Sequence, residues 1–266
     1  MRELRLGRKI IGTLIKNSAY NPQRIILDFF ALVARCGILL FLYKCVYNWK
    51  GSNINNTSYQ VIAWSIFLYF IVSIMRPRDI TDAIAQDVKT GSIEMILNKP
   101  IHYLSYRFYT TIGTGLYSFF ILAPLGFLAM ALTLGIPSTM TTHAFVLTCT
   151  IVGFLCIALS LIVHALLGVL AFWMEDITPV YWIVDKFVMV LGGSYLPVAF
   201  FPPVMYQMAI WSPFGAMQFI THTVYDSWAA KAWNMIGIQL FWTLLFGLTL
   251  LIVFRKAKER ISVNGG

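Results

Sequence analysis

Charge is what this sequence has least of. Asp, Glu, Lys and Arg make up 12% of its 266 residues, whereas 59% are hydrophobic and 15% aromatic. A soluble domain carries about 25% charged residues, so a water-facing globule is excluded and a membrane protein is indicated. Catalytic and nucleotide signatures are missing too. There is no G-x-x-x-x-G-K-[ST] loop to cradle ATP phosphates, no H-E-x-x-H and no G-x-S-x-G. The four histidines (His102, His143, His164, His222) are scattered, without a partner at metal-ligand spacing. His164 reads as a hydrogen-bonded interior histidine. Cys36, Cys45, Cys149 and Cys156 all fall in apolar runs and form no CxxC pair, which suits small buried hydrophobes. Nor is there a spaced series of Asp, Glu and His such as proton-coupled pumps use. The chain is therefore expected to bind no metal and no cofactor, to catalyse nothing, and to hold no energy source of its own.

The charges that exist are unevenly placed. The formal net charge is +9. Lys and Arg gather in the first 24 residues (Arg2, Arg5, Arg8, Lys9, Lys16, Arg24), in one polar loop (Arg76, Arg78, Lys89, Lys99, Arg107) and at the end (Arg255, Lys256, Lys258, Arg260). The alternate loops hold little more than Lys50 and Lys231. By the positive-inside rule both termini and the polar loop are cytoplasmic. The positive charge is thus a topology signal and no nucleic-acid partner is expected.

The expected fold is all-α: a polytopic membrane protein with about six transmembrane helices. Residues 1–24 form an amphipathic interfacial helix, with Leu4, Ile10, Ile11, Leu14 and Ile15 at roughly helical spacing and basic residues on the rest of its face. Apolar stretches at about 25–47, 58–75, 106–134, 144–173, 186–210 and 233–254 each suit the ~20 residues a span requires. The transmembrane domain covers 25–254, and 255–266 is a basic cytoplasmic tail. The segment 174–185 is expected as an inner loop. In the first span Asp28 lies four residues after Arg24, which suggests a local ion pair. Lys44 can snorkel outward. Arg35 sits deeper, on the face of Asp28, and requires either a partner on another helix or a role in substrate handling or gating.

Two segments interrupt the apolar pattern. The loop 76–105 holds eight charges between Arg76 and Lys99. Its apolar spacing suggests two short helices divided at Gly91-Ser92, with Asp79 or Thr81 as a cap of the first. Such a structured, mixed-charge element suits the docking of a soluble partner. The second segment runs from Gly192-Gly193-Ser194 through Pro197, Phe200-Phe201-Pro202-Pro203 to Trp211-Ser212-Pro213-Phe214. Its prolines exclude one unbroken helix, and residues 196–214 read as a hydrophobic segment re-entering from the outer surface. Pro197, Phe200, Phe201, Pro202 and Pro203 are candidates for an outer gate closing by dewetting, or for an interfacial anchor.

On these residues the sequence resembles the permease subunits of ABC-2-type ATP-binding-cassette transporters, in particular a group encoded beside a second permease and one ATPase. The resemblance covers essentially the whole chain. It rests on the basic N-terminal helix, the spans, the segment Gly91-Ser92-Ile93-Glu94 leading to Leu97 and Lys99-Pro100, and the order Gly-Ser…Pro…Phe-Pro-Pro…Pro-Phe from Gly193 to Phe214. It implies that the 76–100 segment is a coupling element seated on a pair of ABC ATPase subunits, with Asp87, Gly91, Ser92 and Glu94 at the contact. It also implies a second permease, as a homo- or heterodimer, with the second and fifth spans facing the pathway. ATP and Mg would be bound by the partner ATPase, and export would run outward across a bacterial inner membrane. The competing readings are an ATP-independent secondary transporter or channel, and a membrane-embedded enzyme, for which Glu175-Asp176 is the only adjacent acidic pair.

Overall fold

A computed structural model describes residues 2–20, 22–51, 53–54 and 56–264. Among these residues eleven α-helices follow one another: α1 (Arg2–Ala19), α2 (Pro22–Lys50), α3 (Tyr59–Ser73), α4 (Arg78–Thr90), α5 (Ile93–Leu97), α6 (Tyr103–Leu134), α7 (His143–Val169), α8 (Thr178–Leu191), α9 (Pro203–Trp211), α10 (Pro213–Ala216) and α11 (Trp228–Asn264). A two-residue antiparallel ribbon, Asn53–Ile54 with Thr57–Ser58, turns the chain between α2 and α3.

Local chemistry explains several helix ends. Pro22, which lacks an N–H to satisfy, opens α2. Ser58 and Thr142 cap α3 and α7 by accepting from the amides of Val61 and Phe145. Gly91, at φ +69°, ends α4 in the left-handed conformation that glycine tolerates. At its start α4 has no side-chain cap of the kind expected from Asp79 or Thr81: the Thr81 hydroxyl donates to the His164 carbonyl at 2.7 Å, and Asp79 takes Arg24.

Among the described residues five stretches are long and apolar enough to cross a bilayer: Gln23–Lys50, Tyr59–Thr90, Tyr103–Leu134, Phe145–Phe172 and Trp228–Arg260. This corrects the expectation of six. The expected span 186–210 is divided, and the expected inner loop 174–185 already contains the start of α8. That helix has 14 residues, about 21 Å at 1.5 Å per residue, short of the ~30 Å hydrocarbon core. Gly192 and Gly193, the latter at φ +83°, and Pro197 stop it, and α9 is only nine residues long.

The helix α3 is the centre of the bundle. In the apolar window of the stretch Tyr59–Thr90, which α3 opens, 67% of residues are buried, against 6% for that of α2, which lies at the periphery. Trp64 is wholly buried and its indole N–H donates to the Gly135 carbonyl at 2.9 Å. Because lipid is as apolar as a leucine core, close packing and hydrogen bonds hold such helices together rather than hydrophobic burial. Gly168 illustrates the packing: a Cβ there would lie 2.9 Å from the Ile84 Cβ and 3.1 Å from the Thr81 oxygen. The backbones of α7 and α4 therefore meet. A second core, with Ile80, Ile84, Ile93, Tyr103, Val169 and Phe254, ties α4, α5, α6, α7 and α11 together. It lies at the end of the bundle that carries Arg24, Arg76, Arg78 and Arg107, called here the basic end.

Candidate functional site

The turn between α4 and α5 is built around one carboxylate. Asp87 is 5% exposed. Its Oδ2 accepts from the Tyr103 hydroxyl at 2.5 Å and from the Arg107 Nε at 2.7 Å, with a further Arg107 nitrogen in contact. Its Oδ1 accepts from the Ser92 hydroxyl at 3.0 Å. Tyr103 in turn stacks on Phe254 of α11 at 5.5 Å. Asp87 and Ser92 are therefore internal struts that lock the α4–α5 elbow to α6 and, through Tyr103, to α11. Ile93 and Ile96 face inward with them. Gly91 and Glu94 are exposed, as is Met95 at 69%. The four residues grouped as one contact in the sequence thus separate into two that hold the elbow and two on its surface.

The charges of α2 are paired differently from the sequence expectation. Arg24 does not pair with Asp28. It bonds Asp79 at 2.9 Å, while Asp28 pairs with Arg76 and accepts from the Ser118 hydroxyl of α6 at 3.0 Å. Partners from the α3–α4 connection and α6 satisfy Asp28 more fully than one neighbour on its own helix could. Arg35 is exposed, and among the described residues it has no ion pair or hydrogen bond. A residue the sequence pattern hides is Asp185. It lies inside α8 rather than in a loop, within electrostatic reach of Tyr69, Tyr181 and His164. Its neighbour Lys186 gave the segment the look of a polar loop boundary. His164 is the interior histidine expected, with its Nδ1 2.7 Å from the Ser160 carbonyl oxygen.

At the opposite end the segment after α8 is folded tightly. The Tyr43 hydroxyl donates to the Tyr195 carbonyl at 2.5 Å, and the Phe200 ring stacks on Tyr43 at 6.0 Å. Pro197 is buried, and Pro202 and Pro203 are exposed where α9 begins. The Thr221 hydroxyl donates to the Gly192 carbonyl at 3.3 Å, and Ser65 of α3 donates to the Thr221 carbonyl at 3.0 Å. Beside this segment opens a cavity of about 640 Å³ lined by Gln60, Thr139, Phe201, Tyr206, His222 and Lys231, among others. Lys231 donates to the Tyr206 hydroxyl at 2.8 Å. Phe201 lines this cavity; Phe200 does not, being turned onto α2. Among the described residues no group of His, Cys, Asp and Glu has metal-binding geometry.

Long apolar helices that bury their polar groups against one another define a multi-pass membrane protein. The chain belongs to the ABC-2 family of transporter proteins: the family model described as "ABC-2 family transporter protein" matches residues 30–265. No curated protein matches it.

Proposed function

We propose that the chain is the permease subunit of an ATP-binding-cassette exporter, driven by a separate pair of ATPase subunits that bind ATP and Mg. The family match over residues 30–265 carries this reading. The sequence contains no phosphate-binding loop, which supports the reading in which another chain hydrolyses ATP. The basic end is cytoplasmic, as the Lys and Arg distribution directs, and a bacterial inner membrane is the setting. The amphipathic α1 then lies at the inner interface, against α6, where an added Cβ on Gly113 would lie 3.1 Å from Ile11 and Leu14.

In this reading the exposed side of the elbow, with Gly91 and Glu94, sits on the ATPase. Asp87 and Ser92 carry displacement of the elbow into α6. The segment 196–214 re-enters from the outside and Phe201 closes the cavity beside it. The substrate is a drug, peptide, lipid or glycan, moved outward. A channel or secondary transporter is the alternative.

Copurification in mild detergent tests the reading. An ATPase and a second permease chain should accompany the full-length protein, and ATP hydrolysis should be measurable in the complex. A lone chain that moves solute without ATP would sink the proposal. Lys89→Cys in a variant without native cysteines should react with impermeant reagents only after the cytoplasmic side is opened; labelling in intact cells would reverse the topology.

A further inference from the structure

Three polar side chains from three different elements meet in the wall of the far-end cavity of about 640 Å³. Lys231 of α11 donates to the Tyr206 hydroxyl of α9 at 2.8 Å. That contact uses one of the three ammonium protons, and the Tyr206 O–H proton finds no acceptor among the described residues. The Tyr206 ring lies 6.3 Å from the ring of His222, which stands on the 3-10 segment Phe219–Val224. His222 is 5% exposed, and its Nε2 has no hydrogen-bond partner. Buried polar atoms are almost always satisfied, so an orphan in a cavity wall points to a missing occupant.

The lining holds one acid. Asp226 is exposed and forms no ion pair with Lys231, five residues on, which is turned onto Tyr206 instead. Around Lys231, Tyr206 and His222 the donors therefore exceed the acceptors. A carboxylate or phosphate oxygen carries lone pairs only and accepts several N–H and O–H donors at once. A neutral hydroxyl group brings a further donor with each acceptor, and a cation would meet the Lys231 ammonium. Water fits the space too, but it also brings donors where acceptors are wanted.

We infer that Lys231, Tyr206 and His222 form a subsite for an oxyanion, the carboxylate or phosphate of a solute or of a lipid headgroup. The rest of the cavity receives the body of that ligand, and its volume is that of a small-molecule site. Phe201 borders the same cavity. An anion held here stands beside the ring proposed to close the outer end. The inference deepens the exporter reading by naming a ligand chemistry at its outer face. It rests on that reading for the route of the ligand, and binding is measured without it.

The test uses the full-length protein without native cysteines, carrying Ser227→Cys, in lipid-free dodecyl maltoside. Ser227 is exposed, lines the cavity and lies four residues before Lys231. The rate at which a neutral maleimide modifies the introduced thiol reports occupancy. Glycerol 3-phosphate should slow it saturably; glycerol should not. Lys231→Gln should raise the half-protecting concentration about tenfold, as loss of a charge-assisted contact does. Lys231→Arg and Tyr206→Phe should raise it less. His222→Phe should weaken protection, and His222→Gln, which keeps an N–H, should restore part of it. Asp226→Asn should tighten binding, because it removes the opposing charge. Protection by glycerol 3-phosphate assigns a soluble anion. Protection only by phosphatidylglycerol added to the micelles, with the same dependence on Lys231, assigns a headgroup. Both uphold the subsite. Protection by neither, or by glycerol as well, overturns it. So does a Lys231→Gln protein protected like its parent, or an Asp226→Asn protein protected less. The same preparations are assayed for a copurified ATPase. Protection without any ATPase rejects the exporter reading and leaves the subsite standing; an ATPase without protection rejects the subsite alone.

Discussion

Asp87 and Arg107 stand 20 positions apart in the sequence, yet they join α4 to α6 in a contact where Asp87 is 7% and Arg107 15% exposed by side chain. Breaking a buried pair leaves one charge without a partner and costs about 3 to 5 kcal/mol. Asp87→Asn should therefore lower the thermal stability of the purified protein and loosen the elbow. A paired replacement, Asp87→Leu with Arg107→Met, should recover much of the lost stability because neither charge then remains. If Asp87→Asn melts with the wild type, the clasp does not hold the elbow.

Gly91 and Glu94 should respond differently from Asp87. Glu94 is exposed and makes no side-chain ion pair among the described residues, so Glu94→Lys should change stability by no more than about 0.5 kcal/mol. Its effect should fall on ATPase capture and on the coupling of hydrolysis to transport. Gly91 holds φ +69°, with open space where a Cβ would stand. Gly91→Ala should cost about 1 kcal/mol from backbone strain alone, and Gly91→Pro more, since proline fixes φ near −65°. Wild-type capture and transport in Glu94→Lys and Gly91→Pro would remove the elbow from the coupling role.

Five of the spans were legible in the sequence because long apolar runs leave little choice: the stretches 25–47, 58–75, 106–134, 144–173 and 233–254 correspond to α2, α3, α6, α7 with its 3-10 extension, and α11. The elbow was legible at Gly91, where a glycine follows a helical apolar pattern. What could not be read was direction. Asp87 looks like any other acid of a polar loop, because Tyr103 and Arg107 lie 16 and 20 residues on and nothing local announces them. Arg24 and Asp28 misled for the opposite reason: their spacing offered a local pair, but Asp79 and Arg76 outcompeted it. The pairs Glu175-Asp176 and Asp185-Lys186 disguised a short helix as a loop.

His102 gives a pH test at the basic end. It precedes α6, and its backbone N–H donates to the Glu3 carboxylate at 3.1 Å. Burial holds its pKa below the ordinary 6.5, Lys258 lowers it further, and Glu3 opposes them. The unfolded chain therefore takes up a proton before the folded one does. Stability is fully present above pH 6.5 and declines as the pH falls from 6.5 through the folded value. Thermal melting across that window should show the decline, and His102→Gln should flatten it. A decline of equal size in His102→Gln would assign the effect to other groups.

Phe200 and Phe201 offer the sharpest test of the far end, because adjacent rings face different surroundings. Phe200 stacks on Tyr43 of α2 at 6.0 Å, whereas Phe201 lines the cavity of about 640 Å³. Phe200→Ala should lower stability by about 1 to 2 kcal/mol through lost stacking and packing, with little change in permeability once folded protein is compared. Phe201→Ala should leave stability nearly unchanged, since its ring borders open space. If Phe201 closes the pathway by excluding water, its removal should raise passive solute leak in reconstituted vesicles, or the basal hydrolysis of the complex. The double variant should show both effects added, because the two rings serve different contacts. A Phe201→Ala protein that assembles and shows wild-type leak, basal hydrolysis and transport would leave the segment as an anchor in the interface. Leak arising from Phe200→Ala alone would move the constriction to the α2 side.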